Sequence, residues 1–70
     1  MLFRSLAASL LSREGNNIQV THQALADELG SVREIVTRLL HGFEERGWVG
    51  LGRGQITLRD AAALKTLVQT

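Results

Sequence analysis

The chain contains no cysteine, and its two histidines, His22 and His41, stand far apart in sequence. A disulfide framework and a thiolate zinc site are therefore excluded, and no metal or other cofactor is expected. Redox compartment is accordingly not encoded in the cysteines. Proline is absent as well, so there is no proline-rich linker, and neither a low-complexity tract nor an internal repeat interrupts the 70 residues. No apolar run approaches the roughly 20 residues that a membrane span requires. Met1-Leu2-Phe3-Arg4 does not open a signal peptide with a small-residue cleavage site, so the expectation is a cytoplasmic protein with no membrane partner. Strong charge of one sign is also missing. The formal net charge of +1 is weaker than that of a protein that coats nucleic acid in bulk.

What the chain does hold fits one small domain over residues 1–70, with enough aliphatic side chains for a compact core. The stretch HQALADELGSVREIVTRLLHGFEER, residues 22–46, reads as a short helix, a glycine turn and a longer amphipathic helix. Ala26 is small enough for two helices to cross closely. Gly30 can take the positive φ of the turn, and Val36 points back into the crossing. Leu25, Leu29 and Leu39 are expected at the remaining inward positions. On a helical wheel Val32, Ile35, Val36, Leu39, Leu40 and Phe43 share one side, while Arg33, Glu34, Thr37, Arg38, His41, Glu44 and Glu45 share the other. The longer helix thus has a face for the core and a polar face to present.

After Gly47, the residues Trp48, Val49 and Leu51 suggest a strand, Gly52-Arg53-Gly54 a tight turn, and Gln55-Ile56-Thr57-Leu58 a second strand alternating polar and apolar. A two-stranded wing over about residues 48–58 fits. Asp60 suits the N-cap of a last helix, residues 61 to about 68, in which Leu64 and Leu67 return to the core. At the front, Leu2, Phe3, Leu6, Leu10 and Leu11 have helical spacing up to a Gly15-Asn16-Asn17 turn, and Ile18-Gln19-Val20 is a short strand candidate. The order helix, strand, helix, helix, hairpin, helix describes a mainly α fold with a small β-hairpin wing, a winged helix-turn-helix.

Charge distribution says more than its sum. Residues 31–59 hold five arginines (Arg33, Arg38, Arg46, Arg53, Arg59) against three acids, and seven of the eight basic residues in the chain are arginine. Arginine suits bidentate recognition of guanine and phosphate better than lysine does. For Arg46 and Arg59, each at an element end, a solubilising surface role is the simpler reading. An enzyme is not expected, because Glu34, Glu44, Glu45 and the histidines form no set of nucleophile, base and orienting group. A winged helix can also serve as a protein-interaction module. Such a module would expose an apolar patch, whereas the polar side of the long helix is expected to carry no large apolar residue.

The residues Val20-Thr21-His22-Gln23, Leu25-Ala26-Asp27-Glu28-Leu29-Gly30, Arg33-Glu34, Val36-Thr37-Arg38 and Leu39-Leu40 closely resemble the C-terminal DNA-binding domain of the Crp/Fnr family of bacterial transcription regulators. Glu44-Glu45-Arg46-Gly47-Trp48-Val49, Arg53-Gly54-Gln55-Ile56 and Leu58-Arg59-Asp60 extend the match, which covers about residues 18–67. The resemblance implies sequence-specific binding to double-stranded DNA at a palindromic site, a homodimer in the full-length regulator, and RNA polymerase as a further partner. It also implies an effector-sensing β-barrel and a dimerisation helix upstream. Neither is present in these 70 residues, and Leu2 to Leu11 look like the helix that follows such a sensor, so Met1 is expected to open a truncated frame.

By the same resemblance, Arg33, Glu34, Thr37 and Arg38 occupy the recognition-helix positions that read the major groove. Arginine can donate two hydrogen bonds to guanine O6 and N7, and glutamate can accept from cytosine N4. Glu34 has a second possible role, because Ser31-Val32-Arg33-Glu34 is also a capping box in which Ser31 and Glu34 bond backbone donors at the helix start. Arg38 has no capping alternative. Thr21 and Gln23 match positions that meet phosphate at the start of the first helix, and Thr21 is also a plain N-cap. Arg53, raised between two glycines, is a phosphate candidate or a turn residue chosen for solubility. His22 and His41 can approach phosphate or be merely solvated. Many family members carry Ser or Thr at the position of Val32 and Thr at that of Ile35, where hydroxyls touch phosphate. Here both are apolar, so Ser31 is expected to take over the cap and to join the contact set.

Overall fold

The computed structural model describes residues 2–13 and 15–69, apart from the side chain of Leu2. The expectations drawn from Met1 and from the Leu2 side chain lie outside the described residues. Seven elements follow in order: α1 (Leu2–Leu11), β1 (Asn17–Ile18), α2 (His22–Leu29), α3 (Arg33–Glu45), β2 (Val49–Gly52), β3 (Gln55–Leu58) and α4 (Ala61–Gln69). No helix among the described residues is long and apolar enough to cross a membrane.

The hydrophobic residues spaced along each helix converge on one core. Leu6 and Leu10 of α1, Leu25 and Ala26 of α2, Val36, Leu40 and Phe43 of α3, Ile56 of β3 and Leu64 of α4 are fully buried. Each large aliphatic or aromatic side chain among them contributes roughly 1.5–3 kcal/mol by leaving water. Leu29, Leu39 and Leu67 are partly buried against this core. Two residues expected on the inward side of α3 are exposed instead, Val32 at 58% and Ile35 at 42%. Val32 is the N-cap of α3 with extended backbone, so its side chain does not follow the helical wheel. Ile35 lies at the wheel's edge, about 100° from Val36.

Helix ends explain the turn between α2 and α3. Gly30 adopts φ +68°, ψ 34°, and the N–H groups of Gly30 and Ser31 return to the carbonyls of Asp27 and Ala26 at 3.4 and 2.8 Å. This is a Schellman closure, which needs a left-handed residue at the position after the last helical one. Ser31 thus closes α2 through its backbone N–H, and the N-cap position of α3 falls on the next residue. The expected capping box is absent: α3 starts one residue later than it requires, its N-cap is Val32, and no side chain caps it. The same closure ends α3 at Gly47, with the Trp48 N–H bonded to the Phe43 carbonyl at 3.0 Å and the two rings packed 5.5 Å apart. Asp60 caps α4 as expected, its carboxylate accepting from the Ala63 N–H at 3.1 Å.

The wing is part of a three-stranded antiparallel sheet of order β1-β3-β2. Gly52 pairs with Gln55, leaving Arg53 and Gly54 as the two turn residues, so Gly52 belongs to the strand rather than the turn. Trp48, expected in the strand, precedes β2. The first strand is Asn17–Ile18 rather than Ile18-Gln19-Val20, and Ile18 faces Ile56 across the ladder. Burial of Ile18 on the core side fixes that register, because a slip of one residue would turn it outward. The end of α1 is tied to α2 by polar groups. The Ser9 hydroxyl donates to Glu28 at 3.0 Å, and the Arg13 guanidinium bridges the same carboxylate at 2.8 Å and the Ser9 carbonyl at 2.7 Å.

Candidate nucleic-acid interface

Three elements meet around an open cleft of about 810 Å³ lined by Thr21, His22, Gln23, Arg33, Glu34, Thr37, Arg38, Gly52 and Gly54. The start of α2 forms one wall, the polar face of α3 another, and the backbone of the wing tip a third. Thr21 caps α2, with extended backbone and its hydroxyl accepting from the Ala24 N–H at 3.0 Å. Gln23 lines the same wall and donates to Asp27 at 3.0 Å. On α3, burial of Val36, Leu40 and Phe43 points the opposite side of the helix outward, which sets Arg33, Glu34 and Arg38 at the surface.

Six of the eight residues singled out in sequence therefore line one cleft: Thr21, Gln23, Arg33, Glu34, Thr37 and Arg38. Arg53 itself does not line it. The glycine on either side of Arg53 does, and Arg53 is exposed. Ser31 lies outside, its N–H bound into the end of α2. Among the described residues Arg33, Arg38 and Arg53 have no ion-pair partner, and Glu34 accepts no salt bridge from Arg38 one turn along. Three guanidinium forks thus keep their donors free for an external acceptor.

The other arginines are placed differently. Arg46 lies over the Trp48 ring at 5.3 Å from its centre, a cation–π contact. Arg59 lies against Gly50, so close that a Cβ there would stand 2.9 Å from its Nε. Both are outside the cleft, in keeping with the surface roles read from their positions at element ends. Among the described residues no three histidine or acidic side chains cluster as metal ligands.

The sequence leaves His22 open between phosphate contact and simple solvation. His22 is half-buried, and its Nδ1 lies 2.8 Å from Thr37 Oγ1. Burial first, then the nearby His41 and Arg33, hold its imidazole below the ordinary histidine range. The neutral imidazole is thereby favoured. A place in the first turn of α2 is the signal in sequence, but the partner lies 15 residues away on another helix.

Residues 4–67 match the family model of the Crp-like helix-turn-helix domain. The cyclic AMP receptor protein of Thermus thermophilus is 42% identical over 53 residues, 76% of this chain and 24% of that protein. The global nitrogen regulator of a Synechocystis strain is 35% identical over 48 residues, 69% of this chain and 21% of its own length. The chain thus spans about a quarter of the curated relatives it matches. Among solved structures, a transcriptional regulator of the Crp/Fnr family from Eubacterium rectale superposes with a TM-score of 0.95 at 38% identity, covering 100% of this chain and 34% of that one. The catabolite activator protein of Thermus thermophilus gives 0.80 at 35% identity, covering 97% and 32%. The chain belongs to the Crp-like helix-turn-helix family and is a DNA-binding domain of the Crp/Fnr type of transcription regulator.

Proposed function

We propose that the domain reads duplex DNA by sequence, with α3 in the major groove, the start of α2 on the adjoining backbone and Arg53 of the wing on a neighbouring phosphate. The observation that carries this reading is the convergence of Arg33, Glu34, Thr37 and Arg38 on one cleft, with arginines that have no carboxylate partner among the described residues. A carboxylate facing a polyanion is repelled unless it accepts from a base, so Glu34 beside Arg38 fits a reader of cytosine N4. Loss of the capping-box alternative leaves Glu34 free for that role.

Thr21 and the free N–H groups of α2 supply phosphate contacts, joined by Gln23. Ser31 can reach the backbone only from the side of the turn, and apolar Val32 and Ile35 offer phosphate no hydrogen bond. With three to five phosphate contacts per domain, the slope of log K against log salt is roughly −3 to −5. The isolated domain binds weakly. In a longer regulator of this kind two copies act as a homodimer on a palindrome whose half-sites lie one helical turn, roughly 34 Å, apart. RNA polymerase is then a further partner.

Selection of bound duplexes from a random pool at low salt, run on this chain and on Arg38→Ala, tests the reading. The expected result is a short half-site motif that the substitution relaxes at one or two base pairs. Recovery of no motif by the unaltered chain would contradict it.

A further inference from the structure

Thr37 is the one half-buried polar side chain among the four on the groove-reading face of α3, and His22 of α2 holds it. In a helix, a threonine hydroxyl commonly turns back to the carbonyl four residues earlier. Among the described residues Thr37 Oγ1 instead has one partner, the His22 Nδ1 at 2.8 Å. We infer that His22 is a positioning residue for base recognition, fixing the Thr37 hydroxyl toward the groove and setting whether it offers DNA a proton or only lone pairs. This rests on the proposal that α3 reads the major groove.

The chemistry follows from counting hydrogens. A hydroxyl has one hydrogen and two lone pairs, and a neutral imidazole carries a hydrogen on only one of its nitrogens. When Nδ1 is bare, it takes the Thr37 hydrogen. Oγ1 then presents lone pairs alone, which suit the amino groups of adenine N6 or cytosine N4. When Nδ1 carries a hydrogen, it donates to Oγ1, and the Thr37 hydrogen is released outward to guanine O6 or N7, or to thymine O4. Imidazolium allows only the second arrangement. His22 thus acts on specificity without touching a base.

The groups around His22 decide when each arrangement is populated. From α3, Arg33 and His41 oppose a positive imidazole, and Arg38 and Glu34 line the same cleft. From the wing, Gly52 and Gly54 line the cleft, with exposed Arg53 between them in the chain. On α2 itself the neighbouring Gln23 is uncharged and bonded to Asp27. The free domain therefore favours neutral His22. DNA phosphates act in the opposite sense and favour the imidazolium, so acidification of the complex adds a donor at Thr37.

The test measures binding of the unaltered chain, His22→Ala, His22→Asn, Thr37→Val and the His22→Ala/Thr37→Val double variant. Each is assayed against a panel of duplexes carrying every base pair at each position of the selected half-site, at about pH 5.5 and about pH 8, on either side of the ordinary imidazole range. His22→Ala and Thr37→Val are each expected to flatten preference at one and the same base pair by about three- to tenfold, with the double variant no flatter. The unaltered chain should shift toward guanine or thymine at that position in acid. His22→Asn, whose amide can hold the hydroxyl but does not titrate, should keep a preference and lose the pH shift. Equal loss of affinity across all base pairs would overturn the inference while leaving groove reading intact, since it would make His22 a phosphate contact or a packing residue. Independently of DNA, imidazole nitrogen NMR of the free domain should show the His22 tautomer ratio changing in Thr37→Val, and no change there would overturn the coupling. A pool in which the unaltered chain selects no motif would overturn both this inference and the proposal beneath it.

Discussion

Replacing Gly30 by alanine should lower the stability of the domain, whereas the same replacement at Gly42 should raise it. Gly30 closes α2 at φ +68° with nothing within 4 Å of a built Cβ, so the cost is one of backbone conformation rather than collision. A left-handed alanine costs roughly 1–2 kcal/mol, offset by about 0.4–1 kcal/mol from the stiffer unfolded chain. The net loss is about 1 kcal/mol. Gly42 lies inside α3, and its Cβ would also enter open space. Alanine there gains about 0.5–1 kcal/mol through helix propensity. The two variants should therefore differ by about 2 kcal/mol, or about 8–16 °C in Tm for a domain of this size. Thermal melts followed by far-ultraviolet circular dichroism at pH 7 would measure the gap. A Gly30→Ala domain as stable as the parent, or a Gly42→Ala domain less stable than it, would refute the reasoning about both helices.

Leu40→Ala removes a fully buried side chain between α3 and the rest of the core, and urea unfolding should show a loss of about 2–5 kcal/mol; a loss under about 1 kcal/mol would mean that the core collapses around the gap. Arg53→Ala should weaken binding evenly across DNA sequences and make the salt slope shallower by about 1, and a change in base preference would instead make Arg53 a reader. The Glu28 carboxyl is held below its usual range, chiefly by the Arg13 guanidinium and then by the Ser9 hydroxyl. Its contribution is thus present above the ordinary glutamate value and lost as pH falls through the lowered one. The Tm difference between the parent and Glu28→Gln should accordingly be constant near neutrality and shrink below about pH 4.5, whereas a difference unchanged down to strong acid would exclude that linkage.

Local rules carried most of the fold. Apolar spacing marked all four helices, Thr21 and Asp60 marked two helix starts, and Gly30 marked the turn, because each of these signals acts over one or two turns of chain. Long-range terms decided what those rules missed. Ser31 looked like a cap, but its N–H closes α2 and the N-cap of α3 falls one residue later, on Val32. Val32 and Ile35 fit the apolar side of a wheel, yet α2 and the core cover only the arc centred on Val36 and Leu40. β1 pairs with a strand about 40 residues later, so its bounds depend on Ile56 and Thr57 rather than on its own residues. Helical phase put Arg33, Glu34, Thr37 and Arg38 on the polar side of α3 along with His41, Glu44 and Glu45, and the family resemblance singled out those four. His22 was not assigned, since its role comes from a hydrogen bond between two helices.

The central claim is that the cleft between α2, α3 and the wing is the face that meets DNA. Backbone amide shifts of the nitrogen-15-labelled domain, followed by NMR as duplex is added at low salt, test it most directly. The account predicts that shifts concentrate at Thr21, Gln23, Arg33, Glu34, Thr37, Arg38 and the Gly52–Gly54 turn, with α1 and α4 little changed. Shifts concentrated on α1 and α4, with the α3 face silent, would contradict it.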